Sequence, residues 1–173
     1  MKGLKLAVAI LSLGTLAIAS QAEAKSLFNS QQTQSAQITA QVPNSPPENN
    51  SKAANFLKRG IERFQSKDYS GAIEDFNQAL KLEPKNVSAY VGRGAAKMLL
   101  EQFQAAKTDF DAALQITPDI PYAHYFRGFT NYALKDKPAA IADLRKASIL
   151  FQKEGNQELA QKADSAAKEM EAN

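Results

Sequence analysis

The chain has 173 residues, 44% hydrophobic and 23% charged, with a formal net charge of +3, which suits one globular domain. That charge is too small for a nucleic-acid track, because the cations alternate with acids in "KLEPKN" and "ADLRKAS". The absence of cysteine excludes disulfides, zinc thiolate centres and cysteine nucleophiles.

Lys2 and Lys5 precede an uncharged run from Leu6 to Ala19, and small residues follow as far as Ala22-Glu23-Ala24. This is the order of a secretory signal peptide, predicted over 1–24 with cleavage before Lys25. The apolar run of about 14 residues falls short of the roughly 20 that span a bilayer, so an uncleaved anchor is the weaker reading. No cysteine follows it, which rules out a bacterial lipid anchor. The expectation is an exported protein, in the periplasm, thylakoid lumen or extracellular space, with no stable membrane span after cleavage. Removal of Lys2, Lys5 and Glu23 leaves a charge of +2. Residues 25–51 are rich in Gln, Ser, Asn and Pro and too poor in large apolar groups to offset ordering entropy, which predicts a disordered linker.

From residue 53 the chain repeats every 34 residues, at 53–86, 87–120 and 121–154. Position 4 is Phe56, Tyr90 and His124; position 8 is Gly60, Gly94 and Gly128; position 20 is Ala72, Ala106 and Ala140. Position 24 is Phe76, Phe110 and Leu144, position 27 is Ala79, Ala113 and Ala147, and position 32 is Pro84, Pro118 and Gln152. Apolar residues at helical spacing fill positions 4–12 and 20–28, with a polar break such as "QSKDYSG" between them, so each copy predicts two antiparallel helices. Gly at 8 and Ala at 20 let the pair approach closely, and the aromatics at 17 and 24 fill the remaining space.

This pattern resembles the tetratricopeptide repeat, a 34-residue helix-turn-helix unit. The resemblance covers 53–154 and implies an all-α solenoid of three repeats. Residues 156–171 then form a capping helix with an apolar stripe at Leu159, Ala163, Ala166 and Met170. The third copy lacks the proline at position 32, so its second helix is expected to run on to about Glu154.

Position 7 is Arg59, Arg93 and Arg127, where the family pattern usually has Leu, and position 23 is Asp75, Asp109 and Asp143. In a hairpin turning near position 15 these face each other, which predicts structural ion pairs Arg59–Asp75, Arg93–Asp109 and Arg127–Asp143. The alternative is that each Arg packs its stem across the helix and keeps its charge in water.

Catalytic groups do not converge: His124 is the only histidine and shares its column with Phe and Tyr, which predicts a packed or half-buried ring. No spacing supplies carboxylates for a metal site around it, and Asp109 and Asp111 cannot share a helix face. No phosphate-binding glycine loop is present, so no catalytic residue, metal or cofactor is expected.

The resemblance implies a groove, lined by the first helices, that holds a peptide or helix of another protein. Positions 5, 9 and 12 place Leu57, Ile61, Phe64, Val91, Ala95, Met98, Tyr125, Phe129 and Tyr132 there, and Tyr122 extends the patch. Family members that clamp acidic chaperone C-termini use Lys, Arg and Asn at such positions. An apolar or aromatic segment is therefore the expected partner, with no nucleic acid. The competing reading is that neighbouring first helices bury the stripe against each other. Tyr122, Tyr125, Phe129 and Tyr132 are the expected main contact, exposed as one patch, and the linker's "AQITAQV" is a competing occupant. The expected function is a non-catalytic adaptor or assembly factor. The alternatives are a self-associating module, for which a homo-oligomer is foreseen, and a periplasmic helper of secretion or pilus assembly.

Overall fold

The computed structural model describes residues 47–172. Helix follows helix through them: α1 (Pro47–Gln65), α2 (Tyr69–Leu82), α3 (Val87–Leu99), α4 (Phe103–Ile116), α5 (Pro121–Ala133), α6 (Lys137–Lys153) and α7 (Gln157–Ala172). The predicted signal peptide, its cleavage site and the linker as far as residue 46 lie outside the described residues. Residues 47–51, expected to be linker, belong to α1 instead. Pro47 opens that helix, where the fixed φ of proline suits a first helical turn and its missing N–H costs nothing.

Each repeat turns at position 15, where Lys67, Glu101 and Lys135 adopt left-handed φ angles of 65°, 59° and 66°. The N–H of the following residue reaches back five residues at 2.9 Å each time, from Asp68 to Arg63, Gln102 to Lys97 and Asp136 to Asn131. This C-terminal motif satisfies carbonyls that the helix end leaves free. Asp68 and Asp136 then cap the next helix, accepting from the N–H of Gly71 at 2.9 Å and of Ala139 at 3.1 Å. Left-handed backbone costs a non-glycine residue about 1–2 kcal/mol, and the extra chain entropy of glycine offsets about 0.5–1 kcal/mol of that. Lys67→Gly, Glu101→Gly and Lys135→Gly are therefore each expected to raise stability by up to about 1 kcal/mol in urea unfolding. No gain at any of the three would contradict this account of the turn.

Every helix packs on its chain neighbours, and α1 meets α3 as α3 meets α5 along the side formed by the first helices. The alanines at positions 20 and 27 are fully buried. A Cβ on Gly60 would lie 2.8 Å from the Phe76 ring, one on Gly94 would lie 2.7 Å from Phe110, and one on Gly128 would lie 2.8 Å from Leu144. The glycine column thus receives the side chain at position 24. Phe76 meets a second glycine across the repeat boundary, because a Cβ on Gly92 of α3 would lie 2.6 Å from its ring.

Without a position-32 proline, α6 runs to Lys153, three residues longer than α2 or α4, and the left-handed Gly155, φ 78°, follows its C-cap Glu154. Asn156 caps α7 rather than starting it, accepting from the Leu159 N–H at 3.1 Å. The buried stripe of α7 is Leu159, Ala160, Ala163, Ala167 and Met170. It includes Ala160 and Ala167, which the sequence pattern did not single out, whereas Ala166 is only half-buried.

Candidate functional site

Two features repeat along the stack: a charged ladder between first and second helices, and the apolar stripe of the first helices. In the ladder, Arg59 Nε donates to Asp75 Oδ2 at 2.8 Å, Arg93 Nε to Asp109 Oδ2 at 2.9 Å and Arg127 Nε to Asp143 Oδ2 at 2.8 Å. Nη2 of each guanidinium donates to the other oxygen of the same carboxylate, a bidentate fit. All three carboxylates are buried.

Two further connections escaped the sequence reading. Arg93 Nη1 crosses to Asn77 Oδ1 of the preceding repeat at 2.6 Å, and Arg127 Nη1 crosses to Asp111 Oδ1 at 2.7 Å. Position 25 thereby joins one repeat to the next. Position 11 supplies another donor to each buried carboxylate: Arg63 at 3.3 Å from Asp75, Lys97 at 2.8 Å from Asp109, and Asn131 Nδ2 at 3.0 Å from Asp143. The recurring Arg/Lys at 63 and 97, 34 residues apart, was the signal that could have revealed this. Asn131 Oδ1 is buried without a partner among the described residues. Donation to Asp143 fixes the amide, since the reverse orientation would set oxygen against carboxylate.

His124 is half-buried, as its column suggested, but it joins the ladder rather than an aromatic stack. Nδ1 lies 2.9 Å from Asp143 Oδ1 and Nε2 lies 2.9 Å from the Pro118 carbonyl. A doubly protonated ring donates to both acceptors, and a neutral ring donates to one. Burial pushes the Asp143 carboxyl upward, but hydrogen bonds from His124 and Arg127 outweigh it and hold the group below the ordinary carboxylate range.

The apolar stripe departs from expectation. Val91, Ala95 and Met98 are core, because α3 lies between α1 and α5. Tyr122 and Tyr125 are only 6% and 3% exposed, so they are no part of an open groove. The extra turn of α6 explains this: it carries Phe151, whose ring meets Tyr122 and Tyr125 edge-on at centroid distances of 4.9 and 6.0 Å. The four aromatics therefore do not form one exposed patch. Leu57, Ile61 and Phe64 on α1 and Phe129 and Tyr132 on α5 keep partial exposure.

Among the described residues no cluster of three or more His, Cys, Asp or Glu could hold a metal ion. No helix there is long and apolar enough to cross a membrane.

The geometry has counterparts among known proteins. The family pattern described as TPR repeat matches residues 60–101, and that described as tetratricopeptide repeat matches residues 96–153. A STIP1 homolog of Dictyostelium discoideum is 44% identical over 46 residues, which are 27% of this chain and only 8% of that protein. The TPR domain of Arabidopsis OM64 superposes with a TM-score of 0.64 at 26% identity, covering 70% of this chain and 98% of that one. The TPR2B domain of yeast Sti1, solved as a complex with pHsp70, gives 0.66 at 23% identity over 70% of this chain and 98% of its own. Two family patterns over the repeats, and the same helical stack in solved domains, show that the chain belongs to the tetratricopeptide repeat family.

Proposed function

We propose that the chain is a non-catalytic protein-interaction adaptor that holds an apolar or aromatic peptide or helix against its first helices, at Leu57, Ile61 and Phe64 on α1 and at Phe129 and Tyr132 on α5. The observation that carries this reading is the composition of that surface. Its half-exposed groups at positions 5, 9 and 12 are aliphatic and aromatic, while the cations of α3 and α5 are tied to buried carboxylates. A clamp for an acidic C-terminus needs free Lys, Arg or Asn there. The Sti1 domain in complex with pHsp70 supports a protein as the class of partner. The order of residues 2–24 supports export, with the partner in the cell envelope or outside the cell.

Pull-down from the envelope of an exporting host, quantified against protein concentration, tests the surface. Phe129→Ala and Tyr132→Ala should each weaken recovery of the retained partner about tenfold, or about 1.4 kcal/mol, without lowering helix content. Ile149→Ala, on the exposed side of α6, should leave recovery unchanged. Equal recovery with all three variants would move the binding surface away from the first helices.

A further inference from the structure

The three rungs of the ladder share their Arg and Asp but differ in what else meets the carboxylate. Asp75 receives a second permanent cation from Arg63 at 3.3 Å, and Asp109 receives one from Lys97 at 2.8 Å. In the third rung that position is Asn131, which brings one N–H at 3.0 Å and no charge. The ring at position 4 changes in the same rung. The ring centroids of Phe56 and Tyr90 lie 5.2 and 5.4 Å from the guanidinium carbons of Arg59 and Arg93, whereas His124 sets Nδ1 2.9 Å from Asp143 Oδ1 and Nε2 2.9 Å from the Pro118 carbonyl. The third rung thus replaces a permanent cation by one that can be discharged.

We propose that His124 is a pH-operated latch between the second and third repeats: protonated, its ring ties Asp143 of α6 to the Pro118 carbonyl in the loop between α4 and α5, and loss of a proton releases that loop. Both neighbours are acceptors, so only the doubly protonated ring donates to each. When one proton leaves, the one on Nδ1 stays, because a bare nitrogen there would set its lone pair against a carboxylate. Nε2 then faces the Pro118 oxygen as acceptor against acceptor, and that bond is lost. The ring is only 12% exposed, so water has little access to the gap.

The charges around the ring are themselves paired, which leaves the two hydrogen bonds to set the sign. On the same helix Arg127 holds Asp143 and reaches Asp111 of α4, which also meets Lys107. Asp119 in the loop pairs with Lys146 of α6 and lies in the field of Lys153, while α3 brings Arg93 and Lys97, both on Asp109. Burial pushes the Asp143 carboxyl up, yet the hydrogen bonds from His124 and Arg127 hold it below the ordinary range, and the bond from Lys146 holds Asp119 low as well. Both carboxylates therefore stay charged between about pH 5 and pH 8, where an imidazole changes its charge. In the unfolded chain the charged ring has only water, so the latch stabilises the fold on the acid side and is lost as pH rises.

His124 is the only histidine, so a full chain carrying no histidine tag reports on this ring alone. Urea unfolding should show an unfolding constant about tenfold larger at the alkaline end of that range than at the acid end. Amides of Asp119 and Ile120 should exchange faster there too. Glu154, whose carboxyl is pushed up by partial desolvation, moves stability in the same direction. The response is therefore read against His124→Tyr with Asn131→Lys, which rebuilds the second rung and should respond by less than about twofold. Nitrogen NMR of the ring needs no variant: both nitrogens should carry protons at the acid end, and Nδ1 alone at the alkaline end. The latch is overturned by a pH response no larger in the chain than in the variant, by a response of opposite sign, or by a neutral ring that keeps its proton on Nε2.

Discussion

Replacing Asp109 with alanine is expected to lower unfolding stability by about 3–5 kcal/mol, because it leaves two cations without their buried counter-charge. Asp109 is 3% exposed and accepts from Arg93 Nε at 2.9 Å, from Arg93 Nη2 at 2.6 Å and from Lys97 Nζ at 2.8 Å. Both cations are largely covered, so water cannot take over the lost contacts. Asp75→Ala should cost distinctly less, since Arg59 is half in water and solvent screens what remains. Urea unfolding of the two variants, with unchanged m-values, is the measurement. Equal costs would show that burial of the cationic partner does not set the size of the effect. Taking charges out of water is itself expensive, so the ladder is weak support for overall stability. Its clearer role is register, because each Nη1 bond fixes one repeat against the next.

Phe76→Ala should also cost about 3–5 kcal/mol, as expected for deleting a fully buried ring. The sharper expectation concerns its coupling to Gly92. In the intact chain a Cβ on Gly92 would sit 2.6 Å from Phe76 Cζ, and Gly60 closes the other side of the ring, so Gly92→Ala should cost about 1–3 kcal/mol through overpacking. Once the ring is gone the added methyl enters empty space, and alanine's better helix propensity, worth about 1 kcal/mol, makes the same change neutral or stabilising. A double-mutant cycle should therefore show a coupling of about 2–3 kcal/mol. Additive effects would mean that the ring moves aside freely, and that the glycine column is not there to receive it.

The 34-residue period, the position of the turns and the facing of Arg and Asp columns followed from the sequence alone, because helix spacing and hairpin length are local rules that repetition states three times. The glycine at position 8 was legible as a close contact for the same reason. What sequence could not place was anything set by the next repeat. Gly92 receives the ring of Phe76, and Asn77 and Asp111 accept from the following arginine, while burial of Val91, Ala95 and Met98 by first helices on either side was the competing reading that the sequence left open. The candidate surface shifted most where the third repeat departs from the other two. Loss of one proline lets α6 continue for another turn, and Phe151 on that turn takes Tyr122 and Tyr125 out of the surface and into the core. Local spacing determines which residues lie on one face of a helix. Whether that face meets water, a neighbouring helix or a partner depends on the helices stacked beside it, and only the tertiary structure decided that here.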